Sequence, residues 1–305
     1  MTLGRPRVDW CLALVATLAS GAERFYVTPA GATLVESGLA APAPLNAAAA
    51  GFQPVARPGV RNEARVAGAT GVPWVESNGW RYQRGLRRAN YEQLPAGAAE
   101  LAAAEAFAFN AEAILNPDPS DVPVLGALLR FLKAQDESPL PVLANIGIVD
   151  DGSPATGEIL NLFTRRNLLY RVVTAPEQQL NLNVRIGSAE FPRASVANPY
   201  EFAARVRSML GDDKRLVRIY GSNTVLVHLT GDGRRARLFL LNYSRRAVPQ
   251  TVRVRLAGAY RPVKFTAPGS PPDSKLLDVA QVRGAIEFSV PPFTTLGLID
   301  LAAKP

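Results

Sequence analysis

The chain has 305 residues, 48% of them hydrophobic and 20% charged, and carries a net charge of +8. This is the composition of a globular protein long enough for two or three domains of roughly 100–150 residues. One cysteine, Cys11, and one histidine, His228, exclude an internal disulfide, a thiolate zinc site and a histidine metal cluster. Nothing calls for a metal or cofactor: there is no Walker or dinucleotide glycine motif and no Gly-x-Ser-x-Gly, so nucleotide and serine-hydrolase chemistry lack support. The positive charge comes mostly from arginines scattered along strands and helices. Without a helix-turn-helix, zinc-finger or RNP-type motif, nucleic acid is not an expected partner.

In chain order, the N-terminus admits two readings. Arg5 and Arg7 precede an apolar run, Trp10 to Leu18, and Ser20-Gly21-Ala22 would suit a signal peptidase. Asp9 and the pattern Glu23 to Val27 equally fit a helix leading into a strand. Residues 1–22 are therefore a signal peptide, placing the protein in the periplasm or outside the cell, or a helix of a cytoplasmic protein. No run reaches the roughly 20 apolar residues of a membrane span.

Between residues 70 and 135 two β-α units are expected. The first has the strand Val72 to Glu76, the loop Ser77 to Tyr91, and an alanine-rich helix from about Ala96 to Phe109 with Leu101, Ala104 and Ala108 on one face. The second has the strand Ala113 to Asn116 and a helix capped by Ser120 or Asp121, with Pro123 in its first turn. From Pro141 to Ser222 strands at Ile146–Val149, Leu168–Val173, Leu182–Ile186 and Leu216–Tyr220 alternate with helices opening at Ser153-Pro154 and Asn198-Pro199. Such alternation argues for a small parallel, flavodoxin-like sheet. After Asn223 the period falls to two. A hairpin through Gly231-Asp232-Gly233 and four further strands at Thr251–Leu256, Val263–Thr266, Ala285–Val290 and Thr295–Leu301 form an antiparallel β-sandwich. His228, within Val225 to Leu229, reads as a buried strand histidine rather than a base.

This order of partial (β/α) barrel units, small parallel sheet and sandwich resembles the C-terminal part of barrel-type bacterial glycoside hydrolases. Residues 145–222 resemble the glutamine-amidotransferase-like domain of some β-galactosidase families. The ending Phe288-Ser289-Val290-Pro291-Pro292-Phe293-Thr294-Thr295-Leu296-Gly297-Leu298-Ile299-Asp300-Leu301 is similar to the closing strands of glycosidase sandwiches. The implied fold class is α/β plus all-β, with a barrel-like region at 23–140, an amidotransferase-like domain at 141–222 and a sandwich at 223–305. The middle block has neither the cysteine nor the histidine of an amidotransferase, and eight barrel units need about 250 residues, so the barrel is expected to be incomplete. A homo-oligomer is one way of completing it.

The resemblance implies a carbohydrate ligand and carboxylate chemistry. In Pro73-Trp74-Val75-Glu76-Ser77-Asn78-Gly79-Trp80, Glu76 would sit at the carboxyl end of a barrel strand, where nucleophilic glutamates of such enzymes stand. Trp74, Asn78, Trp80 and Tyr82 would bind sugar, with aromatic faces against pyranose C–H groups. Retaining hydrolysis needs a second carboxylate roughly 5–5.5 Å away, for which Asp118 and Asp121 are the candidates. The plainer alternatives are a Glu76 paired to Arg81 or Arg84, and Asp118 and Asp121 as turn and cap residues. Arg81, Arg84, Arg87 and Arg88 offer a site for a uronic acid or phosphate, or a solvated basic surface. Asp150-Asp151 offers a cation or polyol site, or an acidic turn before a helix. The alternative to a hydrolase is a non-catalytic carbohydrate-binding protein, or a structural or interaction module.

Overall fold

The computed structural model describes residues 24–61, 73–135, 139–244 and 249–304. The segment 1–22, weighed as a signal peptide or helix, lies outside the described residues. The first region runs β1 (Phe25–Val27), α1 (Ala32–Glu36), β2 (Ala41–Pro42), β3 (Gln53–Pro54), β4 (Gly59–Arg61), β5 (Trp74–Glu76), α2 (Gly79–Gln83), β6 (Arg88–Tyr91), α3 (Ala99–Ala108), β7 (Glu112–Leu115) and α4 (Val122–Lys133).

Five of these strands form one sheet in the order β2-β1-β7-β6-β3, and each pairing in it is parallel. A closed (β/α) barrel puts every strand beside its neighbour in sequence and the last beside the first. Among these five strands that rule holds at each step except β2 to β3. The sheet is thus a barrel-type ring opened at one seam. The strand ending in Glu76 is not part of it: β5 pairs antiparallel with β4, giving a separate two-stranded ribbon. Its expected place as a barrel strand is corrected, because its backbone partners come from Gly59–Arg61 and not from the sheet.

One face of the five-stranded sheet, carrying Phe25, Val27, Ala89, Tyr91, Ala113 and Leu115, packs into a core with α3 and α4. The other face is more polar. Tyr26 meets Phe52 edge-on at 5.3 Å and donates to Glu112, which pairs with Arg88.

The chain continues through β8 (Ile146–Val149), α5 (Pro154–Arg165), β9 (Tyr170–Val173), β10 (Leu182–Arg185) and α6 (Pro199–Leu210). The three strands form a parallel sheet ordered β10-β8-β9. Ser153 caps α5 by accepting from the Thr156 amide, and Asn198 caps α6 through the Glu201 amide, as the Ser-Pro and Asn-Pro signals require. Gly157 lets α5 approach α2, since a Cβ there would lie 2.8 Å from Arg84 Nη1 and 3.2 Å from Trp80.

The remaining strands are β11 (Val217–Tyr220), β12 (Val225–Gly231), β13 (Arg235–Asn242), β14 (Gln250–Ala257), β15 (Tyr260–Thr266), β16 (Leu277–Val282), β17 (Ala285–Phe293) and β18 (Leu296–Ala303). They make two antiparallel sheets, β11-β14-β17-β16 and β12-β13-β18-β15, facing each other across an apolar core that includes Val254, Ile286, Phe288, Leu238 and Ile299. β11, expected in the small parallel sheet, instead borders β14 in the sandwich. β16 was not anticipated: it is an exposed edge strand whose register shifts between Leu277 and Ala280.

The β12-β13-β18-β15 sheet is buried on both faces. Its second face places Leu226, Phe239, Leu241, Leu296 and Leu298 in the same core as α3. That two-sided burial leaves every residue of β12 buried, His228 included. It also explains the alanines of α3. Wedged between two sheets, that helix is buried all round except at Glu100, and only small side chains let its backbone approach both layers.

Candidate functional site

The carboxyl ends of the parallel strands meet at a cleft of about 510 Å³, lined by Arg57, Gln93, Leu94, Pro95, Asn116, Pro117 and Asp118. That volume lies within the roughly 300–1,000 Å³ of small-molecule sites. Its floor is held by the residue that follows β7. Asn116 accepts from Thr28 Oγ1 at 2.6 Å, after β1, and donates from Nδ2 to the Glu92 carbonyl at 2.7 Å, after β6. Three strand ends are thereby fixed at one point. Asp118 lies partly exposed at the rim and accepts from the hydroxyl and amide of Ser120 at 2.6 and 2.9 Å, which lower its pKa from the ordinary carboxylate value. Among the described residues lining the cleft it is the one carboxylate.

A second cavity, about 550 Å³, lies at the amino ends of the same strands, with Arg24, Arg87, Asn110, His228, Arg237 and Asp300 among its walls. Arg24 is engaged with Asn110 and Arg237 with Asp300. Barrel-type sheets hold ligands at their carboxyl ends, which makes the first cleft the candidate. His228 is 4% exposed, tilted against Phe109 at 4.3 Å and Phe239 at 5.8 Å, and burial pushes its pKa down to about 4. It is a neutral packing residue, as expected.

The residues assigned from sequence are dispersed. Glu76 pairs with Arg61 at 3.3 Å, and neither Arg81 nor Arg84 is its partner. Asp121 does not cap its own helix. Its carboxylate crosses to α3, accepting from the Gly97 amide at 2.7 and 2.9 Å and from the Ala99 amide at 3.4 Å. Glu76 therefore stands on the antiparallel ribbon, Asp121 under a helix start and Asp118 on the rim, each with a structural partner.

In the expected sugar platform each tryptophan has an arginine against its ring. The Arg165 guanidinium lies 3.5 Å from the Trp74 ring centre, and Arg81 covers Trp80 at 4.5 Å. Tyr82 is 2% exposed and shares a 2.6 Å hydrogen bond with Tyr91. Asn78 is 1% exposed, with its amide group on Glu105 and on the Ala56 carbonyl. Arg84 forms a two-pronged pair with Asp150 at 2.8 Å and also donates to the Ser153 carbonyl. Asp151 accepts from the Ser153 amide and the Thr156 hydroxyl, and the Ser153 side chain, the Thr156 hydroxyl and the Ser153 amide, in that order, lower its pKa to about 2. The Asp150-Asp151 pair is thus an acidic turn that orders α5. No cluster of metal-binding side chains occurs among the described residues.

The polar centre that sequence reasoning missed is Glu105, in the middle of α3 and fully buried. Its carboxylate accepts from Ser77 Oγ (2.8 Å), the Asn78 amide (2.7 Å), Asn78 Nδ2 (3.1 Å), Tyr91 Oη (2.9 Å) and Tyr243 Oη (2.6 Å). The donors come from the loop after β5, from β6 and from the end of the sandwich strand β13. Burial and the Glu105 charge raise the pKa values of Tyr82, Tyr91 and Tyr243 well above the ordinary phenol value. The network is a closed structural tie, with no open side for a ligand. Its one sequence signal is a lone acid among the alanines and phenylalanines of residues 102–109.

No protein-family model matches the chain, and no curated protein does. Among solved structures it is similar to the α-L-fucosidase isoenzyme 2 of Paenibacillus thiaminolyticus, with a TM-score of 0.53 and 9% identity over 68% of this chain and 57% of that one. The fold is glycosidase-like. A β-galactosidase from Rahnella sp. R3 (TM-score 0.41, 9% identity, 73% of this chain and 57% of that one) also matches. So does an exo-carrageenase from Bacteroides ovatus (TM-score 0.37, 8% identity, 70% and 40%), but likenesses at these two scores carry no argument. The chain spans little more than half the length of the fucosidase, and at 9% identity that likeness speaks for fold alone. No helix among the described residues is long and apolar enough to cross a membrane.

Proposed function

We propose that this protein binds carbohydrate without hydrolysing it, holding a sugar in the cleft at the carboxyl ends of the five-stranded sheet. One observation carries the reading. The cleft stands where barrel-type sheets hold their ligands and offers Arg57, Gln93, Asn116 and Asp118 to hydroxyl groups, yet Asp118 is the one carboxylate among its described lining residues. Glycoside hydrolysis needs two, roughly 5–5.5 or 6.5–9.5 Å apart across the bond. The hydrolytic reading with Glu76, Asp118 and Asp121 loses ground because Glu76 and Asp121 have structural partners on other elements. We read the middle three-stranded sheet in the same way, as an amidotransferase-like scaffold without that enzyme's cysteine and histidine.

The test is calorimetry with a panel of neutral oligosaccharides alongside aryl-glycoside assays. Binding without turnover is expected. At exposed positions, Arg57→Ala should weaken that binding about tenfold or more, the cost of roughly one charge-assisted hydrogen bond, and Gln93→Ala about threefold to tenfold, the cost of a neutral one. Turnover that Glu76→Gln abolishes would restore the hydrolase reading, and no binding to any member of the panel would remove carbohydrate recognition at this cleft.

A further inference from the structure

A concentration of positive charge lies where α6 gives way to β11, and none of its residues lines the cleft. After α6 ends, Asp212 takes two bonds from Arg207, Nε and Nη2 both at 2.9 Å. The same carboxylate lies 3.5 Å from Arg215 Nη1 and 3.8 Å from Arg218 Nη2. One carboxylate therefore serves three guanidinium groups, which hold its pKa at about 2, with the Arg207 hydrogen bonds the largest cause.

Arg166, at the end of α5, adds a fourth. Its pKa is lowered from the ordinary guanidinium value by burial and then by the charges of Arg207 and Arg165, with Tyr200 acting the other way. Arg215 is lowered by burial and by Arg207. It is 9% exposed, and its Nε has no hydrogen-bond partner among the described residues. The Asp212 pair raises the pKa of Arg207, whereas Arg215, deeper in the cluster, is held below the ordinary value.

Two exposed tyrosines flank the cluster. The Arg166 guanidinium lies 5.2 Å from the ring of Tyr200, which is 46% exposed. Arg218 lies 5.3 Å from the ring of Tyr220, which is 37% exposed. Arginine forks match the paired oxygens of carboxylate and sulfate groups, and aromatic faces suit the C–H faces of sugars. A nucleic-acid backbone calls for an extended basic track, because its charges repeat every few ångströms. Here the arginines lie beside two tyrosines, with Arg255 and Arg253 of β14 opposite Arg218 and Tyr220.

We propose that Arg166, Arg207 and Arg218, flanked by Tyr200 and Tyr220, form a surface site for an anionic sugar unit of an acidic polysaccharide. The site lies apart from the cleft and rests on the carbohydrate reading above only for the class of polymer. It would hold a charged chain against the protein while the cleft engages a neutral portion.

Affinity electrophoresis of the full chain in gels containing polygalacturonate, dextran sulfate or neutral dextran tests the proposal, with a single-stranded oligothymidylate as a polyanion control. The wild type should be retarded by at least one of the two acidic polymers and not by neutral dextran. Arg207→Ala/Arg218→Ala should weaken that retardation about tenfold. Tyr200→Ala/Tyr220→Ala should weaken it severalfold while leaving its salt dependence unchanged, which a purely ionic patch would not show. Arg207→Lys, which keeps the charge and loses the fork, should fall between. Far-ultraviolet dichroism of each variant confirms that it is folded.

Equal retardation by neutral dextran, an unaffected double-arginine variant, or tighter binding of the oligothymidylate would each overturn the proposal. Arg57→Ala separates the two readings. If the cleft reading fails and this one holds, Arg57→Ala leaves acidic-polymer binding intact while no neutral oligosaccharide binds. If this one fails alone, neutral oligosaccharides bind and the acidic gels have no effect.

Discussion

The core of the sandwich and the layer that joins it to the five-stranded sheet are both fully buried, yet they are held by different means. Between the two antiparallel sheets the contacts are apolar throughout, with Val254, Ile286, Phe288 and Val290 against Leu238 and Ile299. One layer away, α3 fills an equally tight space with alanines and places a carboxylate at its centre. Apolar packing is non-directional and tolerates repacking at constant volume. A buried carboxylate with five donors is directional, and it fixes how three elements meet. The lesson is that this protein uses apolar area to build each layer and a polar tie to set the layers against one another.

Removing the tie should have the largest effect. Glu105→Ala leaves the hydroxyls of Tyr91, Tyr243 and Ser77 buried without their acceptor, a loss of about 3–5 kcal/mol. Urea denaturation followed by tryptophan fluorescence and far-ultraviolet dichroism should then show two separated transitions, because the sandwich keeps its own core. Phe288→Ala should cost a similar amount by opening a cavity, but its two probes should stay coincident. Coincident probes in Glu105→Ala would break the distinction.

Acid tests the same junction through His228. Its folded pKa of about 4 lies below the unfolded value of 6.5 because burial disfavours the charged ring. Its stabilising contribution is therefore complete above pH 6.5 and is lost as pH falls from 6.5 towards about 4, roughly 3 kcal/mol in all. His228→Phe, which keeps an aromatic ring against Phe109 and Phe239, should flatten that part of the stability–pH curve. An unchanged slope in the variant would place the acid sensitivity elsewhere.

Volume changes should separate the regions more mildly. Ala103→Leu, at a position with no exposure in the wedged helix, should lose about 1–3 kcal/mol by overpacking, while Ser289→Leu on the wetter face of β17 should change stability by less than about 0.5 kcal/mol. A comparably small effect is expected at the residue that looked most catalytic. Glu76→Gln removes a partly exposed pair with Arg61 and should cost no more than about 1 kcal/mol in thermal or urea unfolding.

Legibility followed the range of the interactions. The hairpin through Gly231-Asp232-Gly233 and the caps at Ser153 and Asn198 are settled within a few residues, and the structure has all of them where the pattern put them. β16 escaped notice because an exposed edge strand with a bulge carries no alternating apolar signal. At the cleft, Asp118 was recognised but Arg57, Gln93 and Asn116 were not. Nothing local distinguishes a polar residue at a strand end from one in any loop, and what gathers these is the pairing of β7 with both β1 and β6.

The chain by itself determined the helices α3 to α6, the strands from β7 onward except β16, and the succession of parallel and antiparallel layers, and it offered no thiolate or histidine metal site and no nucleotide motif. Those properties depend on periodicity, caps and residue type, which are read within one turn or one hairpin. Only the tertiary structure decided that β5 leaves the parallel sheet, that Glu76 faces Arg61, that Glu105 ties three elements together and that three arginines share Asp212. Each of these depends on which distant backbone a strand or helix meets, and that choice is made by the burial of whole faces rather than by any local pattern.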